Sequence, residues 1–495
     1  MRILCLGNPS ELTDQLAQLL ADSKGINNHG LLSSLDNDFD LDAFAPQPGI
    51  YHTSLVDLNQ DQIKTIANLF DQVIVLDQAL ESYDHPNIFT DTNNLALSLS
   101  TPVEWQNPTQ RERIEYWQNL VQSNKSICAF PFIELLAQNG STTVCCRSAT
   151  PITEIDKLKN FATDENYMAI RQSMIQGKKV VAHCDYCYKH EEVGQLSTRQ
   201  VETVEWAMRL NLESVDDLTK ITDPVYYEVR PSNVCNLMCR MCVPKWSSLI
   251  EREWKELGWL DEDFTQNFND FSMVQIDKAI KLYIAGGEPT AMPEFYTFLK
   301  KCIDEKHTGF EIQVNTNASK ISNRLLGLTK NFSNFSFTVS IDGYQDANDY
   351  TRWGSQWHTV VDNIHRLQRN GHSINFNIVV SLLTIFSFHD LVRFLDSEFP
   401  GCLVHAQLAD NITPFVIPYS KDQLAKIETI KQTSAYSANE LFASFVDTLL
   451  NLCKKSTLDK SKLQHFFSRN DTIDISRDSC LNDYIPELEK LRELL

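Results

Sequence analysis

Between residues 223 and 410, apolar runs of strand length alternate with stretches of helical periodicity. The runs are YYEVRP (226–231), KLYIAG (281–286), FEIQVN (310–315), FSFTVS (335–340), INFNIVV (374–380) and CLVHAQL (402–408). Six β/α units in series predict a parallel sheet curled into a partial (β/α)6, TIM-like barrel. Barrels of this kind carry their chemistry at the C-terminal ends of the strands, and the residues that stand out here follow those ends.

The rest of the chain divides around that barrel. A short strand, RILCLG, a helix, ELTDQLAQLLADS, and a further helix and strand, QDQIKTIANLFDQVIVLD, predict a small acidic α/β domain over 1–120. GNPS follows its first strand where a dinucleotide site wants Gly-x-Gly-x-x-Gly, so nucleotide binding is not expected there. Residues 121–222 read as short strands and turns around cysteines, with QNGS as a hairpin loop and Cys145 and Cys146 ending its second strand. Residues 411–495 read as helical, with a Pro-containing connection, NITPFVIPYS, and a charged C-terminal helix, IPELEKLRELL.

Charge and hydropathy exclude several classes. A formal charge of -21 argues against a nucleic-acid partner, whose binding face would concentrate Lys and Arg. Residues 1–110 hold 15 acidic against 3 basic residues, which reads as a solvated surface or as an acidic platform for an amine-bearing partner. No run approaches the roughly 18 apolar residues of a membrane span, and MRILCLGNPS lacks a signal-peptide apolar region, so a cytoplasmic location without membrane partners is expected. Thirteen cysteines in such a chain point to metal or redox chemistry rather than disulfides. Cys5, Cys302, Cys402, Cys453 and Cys480 stand alone and read as buried structural thiols.

VCNLMCRMCVP, residues 234–244, sets Cys235, Cys239 and Cys242 on a loop just after the first barrel strand. Three thiolates are one short of a closed tetrahedral site. A four-iron four-sulfur cluster has four corners, and three protein thiolates leave one iron open. An open iron can be chelated by the amino and carboxylate groups of an amino acid, and S-adenosylmethionine is the cosubstrate that uses this arrangement. The competing reading is zinc or a saturated iron-sulfur site completed from afar, but the next cysteine, Cys302, lies sixty residues on within a helical pattern.

The Cys-x3-Cys-x2-Cys spacing strongly resembles that of the radical S-adenosylmethionine enzymes, and the later strands extend the resemblance. GGEP supplies Gly286, Gly287 and Glu288, where the family holds the methionyl amino group. NTNAS supplies Asn317, with Ala318 in place of the usual glycine. SIDG supplies Ser340 and Asp342, which by resemblance lie near the carboxylate and ribose. Arg352 matches an arginine that follows this motif, and Met241 matches the apolar position near adenine. At the fifth strand, where relatives often carry Asn, this chain has Ser387.

Cys128, Cys145 or Cys146, Cys184 and Cys187, together with EEVGQLSTR (191–199), resemble the twitch domain-containing radical SAM family, which carries a SPASM/twitch-like auxiliary iron-sulfur domain. That family also shows CNLMCRMCVPKWSS and a segment like IDISRDSCLNDYIPEL (473–488). The resemblance covers roughly 125–490. It implies a second cluster, of the four-iron four-sulfur type, although Cys-x2-Cys with two further thiolates also suits a zinc ribbon. Cys145 and Cys146, adjacent in a strand, face opposite ways, so one of them is the ligand; Cys145 is preferred.

The implied domains are therefore the N-terminal α/β domain, the auxiliary domain over 121–222, the barrel over 223–410 and the helical region over 411–495. The implied activity is reductive cleavage of S-adenosylmethionine, hydrogen abstraction by the 5'-deoxyadenosyl radical and a redox-linked modification of a peptide or natural product. The alternatives are dehydrogenation of a sugar or aminocyclitol alcohol, and a non-catalytic iron-sulfur sensor or electron carrier. A flavodoxin or ferredoxin is the implied electron donor.

Overall fold

The computed structural model describes residues 108–495 except 139, 149, 263–269 and 410–411, and five strands among the first 107 residues. The chain divides into two compact units, Met1–Gln118 and Asn119–Leu495.

In the first unit, strands β1 (Arg2–Leu6), β2 (Asn28–Leu31), β3 (Gly49–Thr53), β4 (Gln72–Val75) and β5 (Ile88–Phe89) form one sheet in the order β2-β3-β1-β4-β5. Every pairing in it is parallel. The expected strands at RILCLG and QVIV are present as β1 and β4; the helices expected over 11–23 and 60–70 lie outside the described residues.

The second unit is built on a nine-stranded sheet. Its strands are β6 (Glu134–Gln138), β7 (Ser141–Thr143), β8 (Thr153–Glu154), β9 (Tyr226–Arg230), β10 (Lys281–Ile284), β11 (Glu311–Thr316), β12 (Phe335–Ser340), β13 (Ser373–Val380) and β14 (Val404–Leu408). The order is β14-β13-β12-β11-β10-β9-β6-β7-β8. The six strands read from the sequence, β9 to β14, are consecutive and parallel. β6 joins β9 in parallel, and β7 folds back on β6 as the expected hairpin, with Gln138 opposite Ser141 and Gly140 at φ +71° in its two-residue turn. The cysteine-rich segment thus continues the barrel sheet.

Parallel strands covered on both faces read as continuous apolar runs, whereas these strands alternate. Leu282, Ile284, Ile312, Val314, Phe337, Val339, Phe376 and Ile378 are all 0 % exposed and face an outer layer of helices. The alternate positions, such as Tyr283, Gln313, Thr338, Asn377 and His405, face a lumen. A polar face on a curled sheet encloses a cavity instead of a packed centre.

The cysteine-rich segment departs from its sequence reading beyond the hairpin. Helices α1 (Glu165–Ile175), α2 (Val181–Glu192) and α3 (Thr198–Arg209) replace the expected strands and turns. Cys184, Cys187 and Tyr188 recur at helical spacing on one buried stripe of α2. Around the barrel lie α4 (Ser248–Glu256), α5 (Pro293–Asp304), α6 (Asn323–Thr329), α7 (Trp357–Arg369) and α8 (Phe388–Glu398). Their apolar stripes, for example Val360, Ile364 and Leu367 of α7, close the core against the sheet. Serine caps start α4 and α6: Ser247 accepts from Ile250 N and Ser322 from Leu325 N.

After the barrel come α9 (Glu440–Lys455) and α10 (Lys460–Arg477). The helix expected over IPELEKLRELL is present as a helical turn, Pro486–Glu489, that runs directly into a 3₁₀ turn, Lys490–Leu494, with Pro486 at its first position. A separate turn, Leu481–Tyr484, precedes it. No helix among the described residues is long and apolar enough to cross a membrane.

Candidate functional site

The loop after β9 is fixed by backbone bonds to the segment that follows β12. Met238 N donates to Trp353 O at 2.9 Å and Arg240 N to Thr351 O at 2.7 Å. The Arg240 guanidinium, fully buried, donates to Tyr350 O at 3.0 Å, Ser479 Oγ at 3.0 Å and Asp474 Oδ1. Asp474 and Ser479 belong to IDISRDSC, so that segment anchors the cysteine loop. Arg477 grips Glu253 of α4 with two bonds, at 2.6 and 2.7 Å, from the same segment.

The loop after β10 approaches the cysteine loop from the other side. Gly287 N donates to Ser232 O at 3.0 Å, and a Cβ at Gly287 would stand 2.0 Å from Val234 O, so only glycine fits. Glu288 N donates to Val234 O at 2.8 Å. The buried Glu288 carboxylate accepts from Thr316 Oγ1 at 2.8 Å, Thr290 Oγ1 at 2.7 Å and Asn317 N at 2.7 Å, which joins the β10 and β11 loops. Burial raises its pKa while these hydrogen bonds oppose the rise. Ala318 sits at φ +52°, in the left-handed region that glycine adopts without strain, and is 0 % exposed.

Asp342, 1 % exposed, accepts from Val379 N at 2.7 Å and pairs with Arg352 Nη1 at 2.6 Å. Arg352 Nε, also buried, has no partner among the described residues. Ser340 Oγ donates to Asn315 Oδ1 at 3.2 Å, and Asn317 Nδ2 to Asn236 Oδ1 at 2.9 Å.

These side chains meet at one cavity of about 190 Å3 at the C-terminal ends of the strands. It is lined by Cys235, Cys239, Cys242, Met241, Gly286, Gly287, Glu288, Asn317, Ser340, Asp342 and Arg352, so every site residue flagged on the first four loops and Arg352 are brought together. Ser387 is not among them; it precedes the first turn of α8, its hydroxyl accepts from Tyr344 N at 3.3 Å, and Val379 takes the fifth-strand position in the wall. Asn315, Thr316 and Trp246 complete the wall and were missed by motif reading. Burial raises the pKa of all three thiols, Cys235 to about 12, so without a metal they are held protonated.

Cys128, Cys145, Cys184 and Cys187, each 5–9 % exposed, line a second, small cavity with Arg147 and Arg199. Cys146 lines the barrel lumen instead. β7 ends at Thr143, so these cysteines do not end the hairpin's second strand as expected: they lie in the turn that follows, where Ser148 N donates to Cys145 O at 3.1 Å, and that turn puts the two thiols in different cavities. EEVGQLSTR closes on itself, because Glu191 and Arg199 at its ends pair at 2.9 Å. Arg199 then donates to Ile127 O at 2.8 Å and Val121 O at 2.9 Å, and so holds the irregular segment that carries Cys128. Burial raises all four of these thiol pKa values. No group of three or more His, Cys, Asp or Glu side chains among the described residues is arranged to hold a metal ion.

The lumen, about 620 Å3, shares Trp246, Gly286 and Asn315 with the first cavity and Phe130, Arg147 and Thr198 with the second. Its wall carries the alternate residues of β9 to β14, which sequence reading did not single out. The signal that finds them is polar alternation within strands expected to be buried on both faces.

Three comparisons bear on this site. The chain is similar to the solved structure titled native anSMEcpe with bound AdoMet, at 17 % identity and a TM-score of 0.32, over 48 % of this chain and 64 % of that one. It is also similar to Streptococcus suis SuiB bound to precursor peptide SuiA, at 14 % identity and a TM-score of 0.33, over 58 % and 63 % of the two chains. In both cases the match spans less than two thirds of the solved structure's own length. No curated protein matches the chain. The family model described as the Radical SAM superfamily matches residues 229–395, from the end of β9 through α8. This chain therefore contains a Radical SAM superfamily domain, whose matched region includes the three-cysteine loop and the walls of the first cavity.

Proposed function

We propose that the chain is a radical S-adenosylmethionine enzyme that abstracts hydrogen from a substrate held in the barrel lumen. The reading rests on one observation: three cysteines and Met241 of a single loop and seven residues from four further positions line the same cavity at the strand ends. When bound by Cys235, Cys239 and Cys242, a four-iron four-sulfur cluster would supply the electron that cleaves S-adenosylmethionine to methionine and a 5'-deoxyadenosyl radical.

The chain's own residues hold and orient. Three protein thiols leave room for one outside ligand, and the absence of a Cβ at Gly287 lets the β10 loop close on the cysteine loop. Glu288 presents a carboxylate, already fixed by four donors, to an ammonium group, and Arg352, whose Nε has no partner among the described residues, presents a guanidinium to a carboxylate. Met241 and Trp246 offer apolar surface for a nucleobase.

Cys128, Cys145, Cys184 and Cys187 form the proposed auxiliary iron-sulfur site, next to the lumen, from where electrons can pass to or from the substrate. A redox-linked modification of a peptide or natural product follows, with flavodoxin or ferredoxin as donor. Anaerobic assay with dithionite tests the reading: 5'-deoxyadenosine is released by the native chain and not by Cys239→Ala. Release by that variant overturns it.

A further inference from the structure

Strand register sets the two ends of the lumen apart. Glu134 of β6 is level with Tyr226, and Tyr226 with Lys281, at the N-terminal ends of their strands. At about 3.3 Å per residue, this row lies roughly 13 Å along β9 from Arg230, the residue nearest the cysteine loop. Glu134 is 1 % exposed, lines the cavity, and its Oε2 has no hydrogen-bond partner among the described residues. Glu202 and Glu205 of α3 face the same space.

Three of the lumen's four Arg and Lys side chains are committed to carboxylates. Arg230 is paired with Glu228, and Arg209 and Lys281 with Glu311. Arg147, at the border with the second cavity, donates only to the neutral Gln407 amide, and its Nε has no partner among the described residues. Glu134, Glu202 and Glu205 have no ion-pair partner among the described residues. Keeping such a carboxyl ionised without a cation costs several kcal/mol, and burial accordingly raises the pKa of Glu134, with Glu228 adding to the rise, and of Glu202. A ligand that brings a positive group relieves that penalty, whereas a carboxylate ligand adds like-charge repulsion.

We infer that the lumen takes a substrate bearing an organic cation, a protonated amine or guanidine, which seats against Glu134 and Glu202 at the end away from the cysteine loop. The inference rests on the proposed reading of the first cavity, since that places the reacting centre at the opposite end. The substrate is accordingly elongated, its cation roughly 10 Å or more from the attacked carbon. Thr338 and Asn377, between the two ends, offer hydrogen bonds to its body.

Isothermal titration of the full chain tests this with 1,5-diaminopentane and agmatine as probes, against 1,5-pentanediol and glutarate as neutral and anionic matches. The expected result is binding of at least one amine, no binding of the diol or glutarate, and at least tenfold weaker amine binding in E134Q and E202Q. Circular dichroism verifies that each variant is folded, and E202Q decides alone if E134Q is not. Absence of amine binding, diol or glutarate binding equal to that of the amines, or unchanged binding in the folded variants overturns the inference. The titration reads binding without turnover. Amine binding without 5'-deoxyadenosine formation would overturn the preceding reading, and turnover without amine binding would overturn this one.

Discussion

Arg240 Nη2 donates to Asp474 Oδ1 across 234 positions of sequence. Arg240 sits between two of the three loop cysteines, and its side chain is 0 % exposed, so the end of α10 supplies the counter-charge of the cysteine loop. Asp474 also accepts from Tyr350 Oη at 3.0 Å and Leu481 N at 2.9 Å. One carboxylate thereby ties together the loop, the segment after β12 and the C-terminal turns.

Removing that carboxylate leaves a buried guanidinium uncompensated. Asp474→Ala is expected to lose about 3–5 kcal/mol of stability. Urea denaturation measures the loss, and iron bound per chain after reconstitution is expected to fall with it.

Gly287→Ala forces a methyl to within 2.0 Å of the Val234 carbonyl. Because the obstacle is backbone, the β10 and cysteine loops must part. The variant is expected to lose on the order of 3 kcal/mol and its S-adenosylmethionine binding. Gly327→Ala is the control: nothing lies within 4 Å of its Cβ, and its position in α6 gives a gain of up to about 1 kcal/mol. Melting curves of the two variants are expected to move in opposite directions.

Ala318→Gly relieves a left-handed residue. The relief is about 1–2 kcal/mol, offset by roughly 0.4–1 kcal/mol of extra unfolded-state entropy, so a net gain of up to about 1 kcal/mol is expected. A raised urea midpoint with unchanged slope is the readout.

Glu202 gives the lumen a pH signature. Burial first, then the neighbouring Glu205, raises its pKa to about 7, against the opposing pull of Lys281, the Trp206 indole and Arg209. A carboxyl whose folded pKa is raised contributes its stability below its ordinary pKa and loses it as pH rises through about 7. Glu202→Gln is therefore expected to be more stable than the native chain above pH 7, with the difference gone near pH 4. Unfolding free energies measured across that range test the sign.

Much of the barrel was legible in the sequence because strand length, helical spacing and the C-terminal placement of GGEP, NTNAS and SIDG act locally. The six strands fall within a residue or two of their reading, and QNGS makes its hairpin by turn chemistry alone. What escaped was set by distant contacts. The Cys184 and Cys187 segment is helical because Arg199, Glu191 and the carbonyls of 121–127 are drawn together from far apart in sequence. Asp474 could be quoted as part of a motif, but its duty to Arg240 depends on tertiary packing. Cys145 and Cys146 could not be told apart by spacing; the turn after β7 puts them in different cavities.

The most direct test of the central claim is electron–nuclear double resonance on the reduced, reconstituted chain with S-adenosylmethionine labelled at the methionyl nitrogen and carboxylate oxygen. The account predicts coupling of both labels to a cluster held by Cys235, Cys239 and Cys242, and its loss in Cys239→Ala. A cluster with four protein ligands and no coupling to either label would contradict it.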